Sequence, residues 1–179
     1  MYYYFAASLP YLEYGVRCLT CLENFMETAG RLLSPGDYAL IEQALAVEAG
    51  QPVSGEGHRV IREWQAFMQG LRNQWVMARA PRFRKDPATY FRGERGGETA
   101  VAEAVAQAQK AVDPLEAEKI IDQLRWAKLE EIGQGQFFNL DFLLVYALKL
   151  QILKRLERID SVHGEHIFNE YCAAVSRLR

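Results

Sequence analysis

The sequence lacks the features that mark a secreted, membrane-spanning or polyanion-binding protein. Its longest apolar run, residues 142–148, ends at Lys149 and is far shorter than the roughly 20 residues that span a bilayer. The first ten residues have neither the basic start nor the apolar length of a secretory signal, so we expect them to belong to the fold. The formal net charge is only -2, and therefore no chain-wide field favours nucleic acid or an anionic membrane surface. We predict neither membrane insertion nor a nucleic-acid partner.

Catalytic motifs are also missing. The chain has no phosphate-binding Gly-x-x-x-x-Gly-Lys loop, no Gly-x-Ser-x-Gly elbow and no His-Glu-x-x-His pair. A di-metal carboxylate site would need Glu-x-x-His pairs, and none occurs. Glu118 and Asp122 share a helix face, as do Glu27 and Arg31, and we interpret both faces as solvated. We expect a protein that is not an enzyme and holds no cofactor.

Cysteine is scarce, and its pattern favours a reducing compartment. Cys18, Cys21 and Cys172 form an odd set that gives no disulfide framework, which predicts a cytoplasmic protein. The spacing of Cys18 and Cys21 is typical of thiol pairs that bind zinc or exchange disulfides, but no thioredoxin-like strands are predicted. His163 and His166 would complete a zinc site with four ligands. Structural thiols are favoured, and a free-standing helical binding module that holds zinc is the alternative function.

The patterns that are present predict an all-α fold. Half of the 179 residues are hydrophobic, enough for the core of one domain spanning residues 1–179. Apolar spacing and capping residues predict helices over about 20–33, 35–47, 58–80, 98–112, 114–132, 139–159 and 163–178. The tyrosine-rich start, which ends at Pro10, is predicted to be a short extended segment. The fold class is a single-domain multi-helix bundle with this extended N-terminal segment and a mobile loop at about 48–57.

The strongest pattern is a helical hairpin over residues 115–160, with a Gly-rich turn at 133–136. Its second helix, opened by Asn139 or Asp141, is apolar on nearly every side between residues 142 and 148. Lys149 and Gln151 interrupt that helix, and leaving them unpaired in a core would cost about 1–3 kcal/mol. We therefore expect them to find polar partners, for which Arg125 and Asp141 are the natural choices.

A basic and aromatic connector is predicted at about 81–97. It combines five cations with three aromatic rings: Arg82, Arg84, Lys85, Arg92 and Arg95 with Phe83, Tyr90 and Phe91. Cations between stacking surfaces are typical of proteins that bind single-stranded nucleic acid. Because Asp86, Glu94 and Glu98 dilute the charge, we favour a solvated connector or a protein-docking patch.

Five segments of the chain carry a family resemblance. They are residues 3–10 (YYFAASLP), 71–73 (LRN), 124–130 (LRWAKLE), 138–141 (FNLD) and 146–152 (YALKLQI). The pattern resembles an uncharacterised bacterial family of small helical proteins encoded among the genes of V-type (vacuolar and archaeal type) rotary ATPases. That family is distantly similar to the funnel-shaped central-stalk protein of these ATPases, which is named d in vacuolar enzymes. The present chain is shorter than that protein, with room for about half of its three helical units.

The resemblance implies a non-enzymatic connector between the central shaft and the membrane rotor ring. The protein would then be cytoplasmic, peripheral to the inner membrane, and bound to central-stalk and membrane-rotor subunits of the ATPase. The residues proposed for partner contact or for a structural polar network are Arg72, Asn73, Arg125, Trp126, Asp141, Lys149 and Gln151. Among them, Arg72, Arg125, Asp141 and Lys149 either form one internal network or line a groove that another protein of the complex fills.

The zinc alternative makes a direct prediction about the purified protein. If Cys18 is a zinc ligand, metal analysis will find about one zinc per chain, and Cys18→Ser will lose it. A folded, metal-free protein would remove this alternative.

Overall fold

The described residues form a bundle of helices. The computed structural model describes residues 2–16, 20–48, 57–93 and 99–159, and within these ranges there are seven α-helices, two 3-10 helices and no strand. The α-helices are α1 Tyr2–Ser8, α2 Leu22–Leu32, α3 Pro35–Glu48, α4 Arg59–Arg79, α5 Thr99–Lys110, α6 Pro114–Ile132 and α7 Leu140–Ile159. The 3-10 helices, Ala80–Phe83 and Pro87–Tyr90, lie in the predicted basic connector. The all-α prediction is confirmed.

Helix α7 lies at the centre of the bundle. Every side chain from residue 143 to residue 148 is buried, as are Leu150, Ile152 and Leu153. A helix that is apolar on all sides must be covered on all sides, and α7 packs against α1, α2, α3, α4 and α6. Helix α5 lies outside this layer, where it packs on α4 and α6. The hairpin predicted from the Gly-rich turn is formed by α6 and α7.

The extended N-terminal segment was a wrong prediction, because residues 2–8 form helix α1. Proline restricts only the residue before it, here Leu9, so the helix can run to Ser8. An isolated extended segment would leave its backbone groups without partners in an all-helical core, whereas a helix satisfies its own. The helix buries Phe5 and Ala6, and the Phe5 ring stacks on Phe25 with 5.2 Å between centroids.

Side-chain caps start the predicted helices where polar residues precede the apolar pattern. The Asp37 amide donates to Ser34 Oγ (3.1 Å) at the start of α3, and the Leu115 amide donates to Asp113 Oδ1 (3.0 Å) at the start of α6. The sequence left Asn139 and Asp141 as alternatives for α7. Asn139 is the cap, since its Oδ1 accepts from the amide three residues later, that of Phe142 (3.0 Å).

Two sequence predictions fall mainly outside the described residues. Residues 49–56 of the predicted mobile loop and the whole of the predicted helix 163–178 are not described. In the part of the chain that is described, no helix is both long and apolar enough to cross a membrane.

The helical N terminus can be tested with two neighbouring aromatic residues. Phe5 is 1% exposed and Tyr4 is 81% exposed. Phe5→Ala should lower the free energy of unfolding by about 3–5 kcal/mol, because it leaves a cavity against Phe25. Tyr4→Ala should change it by less than about 0.5 kcal/mol. Urea unfolding followed by circular dichroism measures both, and equal losses would contradict the packing of α1.

Candidate functional site

A groove of about 490 Å³ lies between residues 9–12 and the turn that joins α6 to α7. Leu9, Pro10, Tyr11 and Leu12 form one side. The other lining residues come from the α6–α7 hairpin: Leu129, Glu130, Gly133, Gln134, Gly135, Gln136, Phe137, Phe142, Val145, Tyr146 and Lys149. Ligand pockets in proteins occupy about 300–1,000 Å³, so the groove can hold one or two large side chains of a partner. Its lining is mainly apolar.

Two glycines give the turn its shape beside this groove. A Cβ atom at Gly133 would lie 3.1 Å from the Leu129 carbonyl oxygen and 3.2 Å from Val145 Cγ1. Gly135 has a φ of +75°, a left-handed conformation that glycine adopts without strain. The helices can therefore approach closely where the hairpin turns.

Tyr146 joins the two sides of the groove. Its hydroxyl group donates a hydrogen bond to the Pro10 carbonyl oxygen (2.9 Å). Its ring packs against Phe25 and Phe142, with centroids 5.5 and 5.9 Å away. The N-terminal segment is thus held against α7 by both a hydrogen bond and aromatic packing.

Exposed aromatic residues surround this end of the bundle, and we call them the aromatic rim. They are Tyr3, Tyr4, Tyr11, Phe137 and Phe138. Tyr3 on α1 packs against Phe138 beside the turn, with centroids 4.6 Å apart. Residues far apart in sequence therefore form one contiguous exposed aromatic area, which is typical of an interaction surface.

Lys149 reaches the edge of the groove and is satisfied there. Its Nζ donates to Glu130 Oε1 (2.5 Å) and lies 4.8 Å from the centroid of the Trp126 ring. Partners on α6 thus satisfy the polar exception in α7, although Arg125 and Asp141 were the expected partners. The charge costs little because the side chain can reach the half-exposed Glu130.

A buried charge cluster links α6 to α7 on the same side of the hairpin. Asp122 is 0% exposed, and its Oδ1 accepts from Arg125 Nη1 (2.9 Å) and from Arg155 Nη2 on α7. Arg155 also lies 3.6 Å from the carboxylate of Glu118. Within the described residues, Asp122 Oδ2 and Arg155 Nε make no hydrogen bond.

Tyr14 covers this cluster from the N-terminal segment. Its hydroxyl donates to the Lys119 carbonyl oxygen (3.1 Å), and its ring lies 5.7 Å from Trp126. Burial raises the pKa of the Tyr14 phenol, while the nearby positive charge of Arg155 acts in the opposite direction.

The interpretation of Asp122 as part of a solvated face was wrong. Glu118 is exposed as expected, and Arg31 pairs with Glu27 on an exposed face, but Asp122 is enclosed with arginines on two helices. The sequence does place Asp122 beside the buried Ile121 and one turn before the buried Trp126. That apolar neighbourhood was the available signal, and it needed the position of Arg155 to be read correctly.

The predicted network of four charged residues is also wrong in that form. Arg72 donates to the Val47 carbonyl oxygen (3.2 Å), at the end of α3. Asp141 accepts from Arg59 (2.7 Å) and lies 3.1 Å from His58, and its bond to Arg59 raises the pKa of that guanidinium. These contacts are separate from those of Lys149 and Asp122, because the four helix positions face different neighbours. Of the four, only Lys149 lines the groove.

The two amide residues on the same prediction have local structural contacts. Asn73 is buried, donates to the Arg92 carbonyl oxygen (2.9 Å) and accepts from the Arg92 amide (3.2 Å). Gln151 donates to the Leu45 carbonyl oxygen (3.4 Å), which links α7 to α3. Both side chains fix a neighbouring segment.

The zinc ligands cannot be brought together from what is described. Cys18, His163 and His166 lie outside the described residues, and Cys21 is exposed. Among the described residues, no group of three or more His, Cys, Asp and Glu side chains is arranged to hold a metal ion.

Comparison with known protein families gives a match over the C-terminal part of the chain. Residues 103–177 match the sequence model of a family described as "Protein of unknown function (DUF2764)". The matched region includes α6 and α7, and with them the buried charge cluster and the hairpin side of the groove. No curated protein and no solved structure matches the chain.

The charge cluster predicts a selective loss of stability. Asp122→Ala should lower the free energy of unfolding by about 3–5 kcal/mol, because it leaves Arg155 and Arg125 without their buried carboxylate. Glu118→Ala, on the same face but exposed, should cost less than about 1 kcal/mol. Urea denaturation measures both, and a cost for Asp122→Ala no larger than that for Glu118→Ala would show that the cluster does not fix the hairpin.

Proposed function

We propose that this protein is a non-enzymatic docking subunit or accessory factor of a bacterial V-type rotary ATPase. In this proposal it acts like the funnel-shaped central-stalk protein, as a helical connector between the central shaft and the membrane rotor ring. The groove beside the hairpin turn, together with the aromatic rim, receives an apolar segment of another protein of the complex. The protein itself stays in the cytoplasm, peripheral to the inner membrane.

The convergence of the resemblance segments on one groove carries the proposal. Leu9 and Pro10 come from the first segment, Glu130 from the third, and Tyr146 and Lys149 from the last. The fourth segment supplies Phe138, which packs on Tyr3 in the adjacent rim. These segments are separated by more than a hundred residues of sequence at their extremes, so their meeting is a property of the fold.

The chemistry of this surface supports docking to another protein. Tyr11 is 88% exposed and Phe137 is 66% exposed. Aromatic side chains are enriched at protein interfaces, where burying them contributes much of the binding energy. The Lys149–Glu130 ion pair at the groove can orient a partner segment through its polar groups.

The interior of the bundle supports a mechanical role. The α6–α7 hairpin is closely packed at Gly133 and is tied by Asp122 to arginines on both helices. A connector that transmits torque must resist bending and sliding of its helices. Close packing and a buried charge cluster both oppose such movement, because each helix position is fixed by partners on the other.

Affinity purification from the native cell in mild detergent tests the assignment. The tagged protein should recover rotary ATPase subunits, identified by mass spectrometry. The double variant Tyr11→Ser/Phe137→Ser should recover about tenfold less, because it removes two aromatic contacts from the groove. Both side chains are exposed, so its unfolding transition should match that of the native protein.

Val112→Ser provides a matched control. Val112 is 98% exposed and lies between α5 and α6, so its loss should leave recovery unchanged. If the native protein recovers no part of the ATPase, the proposed partner is wrong. If the double variant recovers as much as the control, the groove is not the docking surface.

A further inference from the structure

A second cavity lies at the C-terminal end of α4, where the chain turns into the 3-10 helices. Its volume is about 400 Å³. Three aromatic residues, Trp75, Phe83 and Tyr90, form most of its wall, and we call this cavity the aromatic cup. Arg79 and Lys85 supply two cations to the same lining. Among the residues that the structure describes, no carboxylate lines the cup.

The aromatic rings of the cup are exposed. Phe83 is 72% exposed, and about half of Tyr90 is accessible. Leaving such rings in water is unfavourable by roughly 25 cal/mol per Å² of apolar surface. An apolar cavity with uncovered aromatic walls is therefore suited to a large apolar side chain from outside.

The segment that carries the cup is fixed in a specific backbone shape. Arg84 has a φ of 53° and a ψ of 37°, a left-handed conformation that is uncommon for a large side chain. The Lys85 amide donates to the Ala80 carbonyl oxygen (3.1 Å), which closes this turn. Such conformations are found where the surrounding structure imposes them, often at binding sites.

Two further contacts hold the far end of the segment. The Ala88 amide donates to Asp86 Oδ1 (2.9 Å), so that Asp86 caps the second 3-10 helix. Asn73 on α4 holds Arg92 through both of that residue's backbone groups. The cup is therefore a preformed site, and binding to it requires little ordering of the segment.

The cations of the cup are available to an anionic partner. The Arg79 guanidinium lies 4.5 Å from the centroid of the Trp75 ring, which holds it over the aromatic wall. In the described part of the chain, Arg79, Lys85, Arg82 and Arg84 form no ion pair with a carboxylate. Four uncompensated positive charges near one apolar cavity attract negative charge, although the whole chain carries a net charge of -2.

We propose that the aromatic cup binds an acidic segment of a partner protein. An aromatic or large aliphatic side chain of that segment enters the cup, and flanking Asp or Glu side chains pair with Arg79 and Lys85. Single-stranded nucleic acid would need a longer positive track along which successive bases stack. A single cavity with a few local cations fits one anchoring side chain between carboxylates better.

A labelled peptide, Glu-Asp-Phe-Asp-Glu, tests this site on the purified protein by fluorescence anisotropy. The native protein should bind it with an affinity that falls as salt is raised, because the carboxylates pair with exposed cations. Arg79→Gln/Lys85→Gln and Phe83→Ser should each weaken binding by about tenfold or more. Lys110→Gln/Arg158→Gln removes two exposed cations elsewhere and should leave the affinity within about twofold.

Several outcomes would overturn the proposal. They are absence of binding at millimolar peptide, equal binding of the neutral peptide Gln-Asn-Phe-Asn-Gln, and equal binding by the cup variants and the control. A ten-nucleotide oligothymidylate that binds more tightly than the acidic peptide and displaces it would assign the cup to nucleic acid instead. The Tyr11→Ser/Phe137→Ser variant should bind the peptide like the native protein, so failure at the groove and failure at the cup are separate results.

Discussion

The burial of α7 on all sides is the constraint on which the rest of the structure depends. Because the side chains from Leu143 to Leu148 point in every direction around the helix and all are buried, neighbours must cover each face. Helices α1, α2, α3, α4 and α6 supply that cover. The polar residues on α7 are then satisfied only by reaching outward, Lys149 to α6 and Gln151 to α3. Each of these contacts fixes the position of one neighbour along the central helix.

Asp122 adds a second constraint to the same hairpin. A buried carboxylate between arginines is weak as a source of stability, because desolvation offsets much of the attraction. Its effect is on specificity: Asp122 on α6 faces Arg155 on α7 in only one register of the two helices. Apolar packing alone tolerates sliding better than a buried charge does. The cluster thus accounts for a rigid hairpin, which a mechanical connector requires.

The groove and the cup show how rigid helices present two different surfaces. The groove combines an N-terminal segment with the hairpin turn, and its surface is mainly apolar and aromatic. The cup lies on the segment after α4 and combines aromatic rings with uncompensated cations. An apolar partner segment suits the first and an acidic one suits the second. A connector within a larger complex needs separate surfaces of this kind, since it must hold more than one neighbour in a fixed arrangement.

The sequence by itself determined the helical class, most helix boundaries and the central hairpin. Apolar periodicity and caps such as Ser34 and Asn139 act within a few residues, so they can be read locally. It failed for the first ten residues, where local aromatic preference was outweighed by the packing of Phe5 on Phe25. It also failed for Asp122, whose burial depends on Arg155 more than thirty residues away. Only the tertiary structure decided which polar residues meet and which apolar residues remain exposed, because those outcomes depend on how distant helices cover one another.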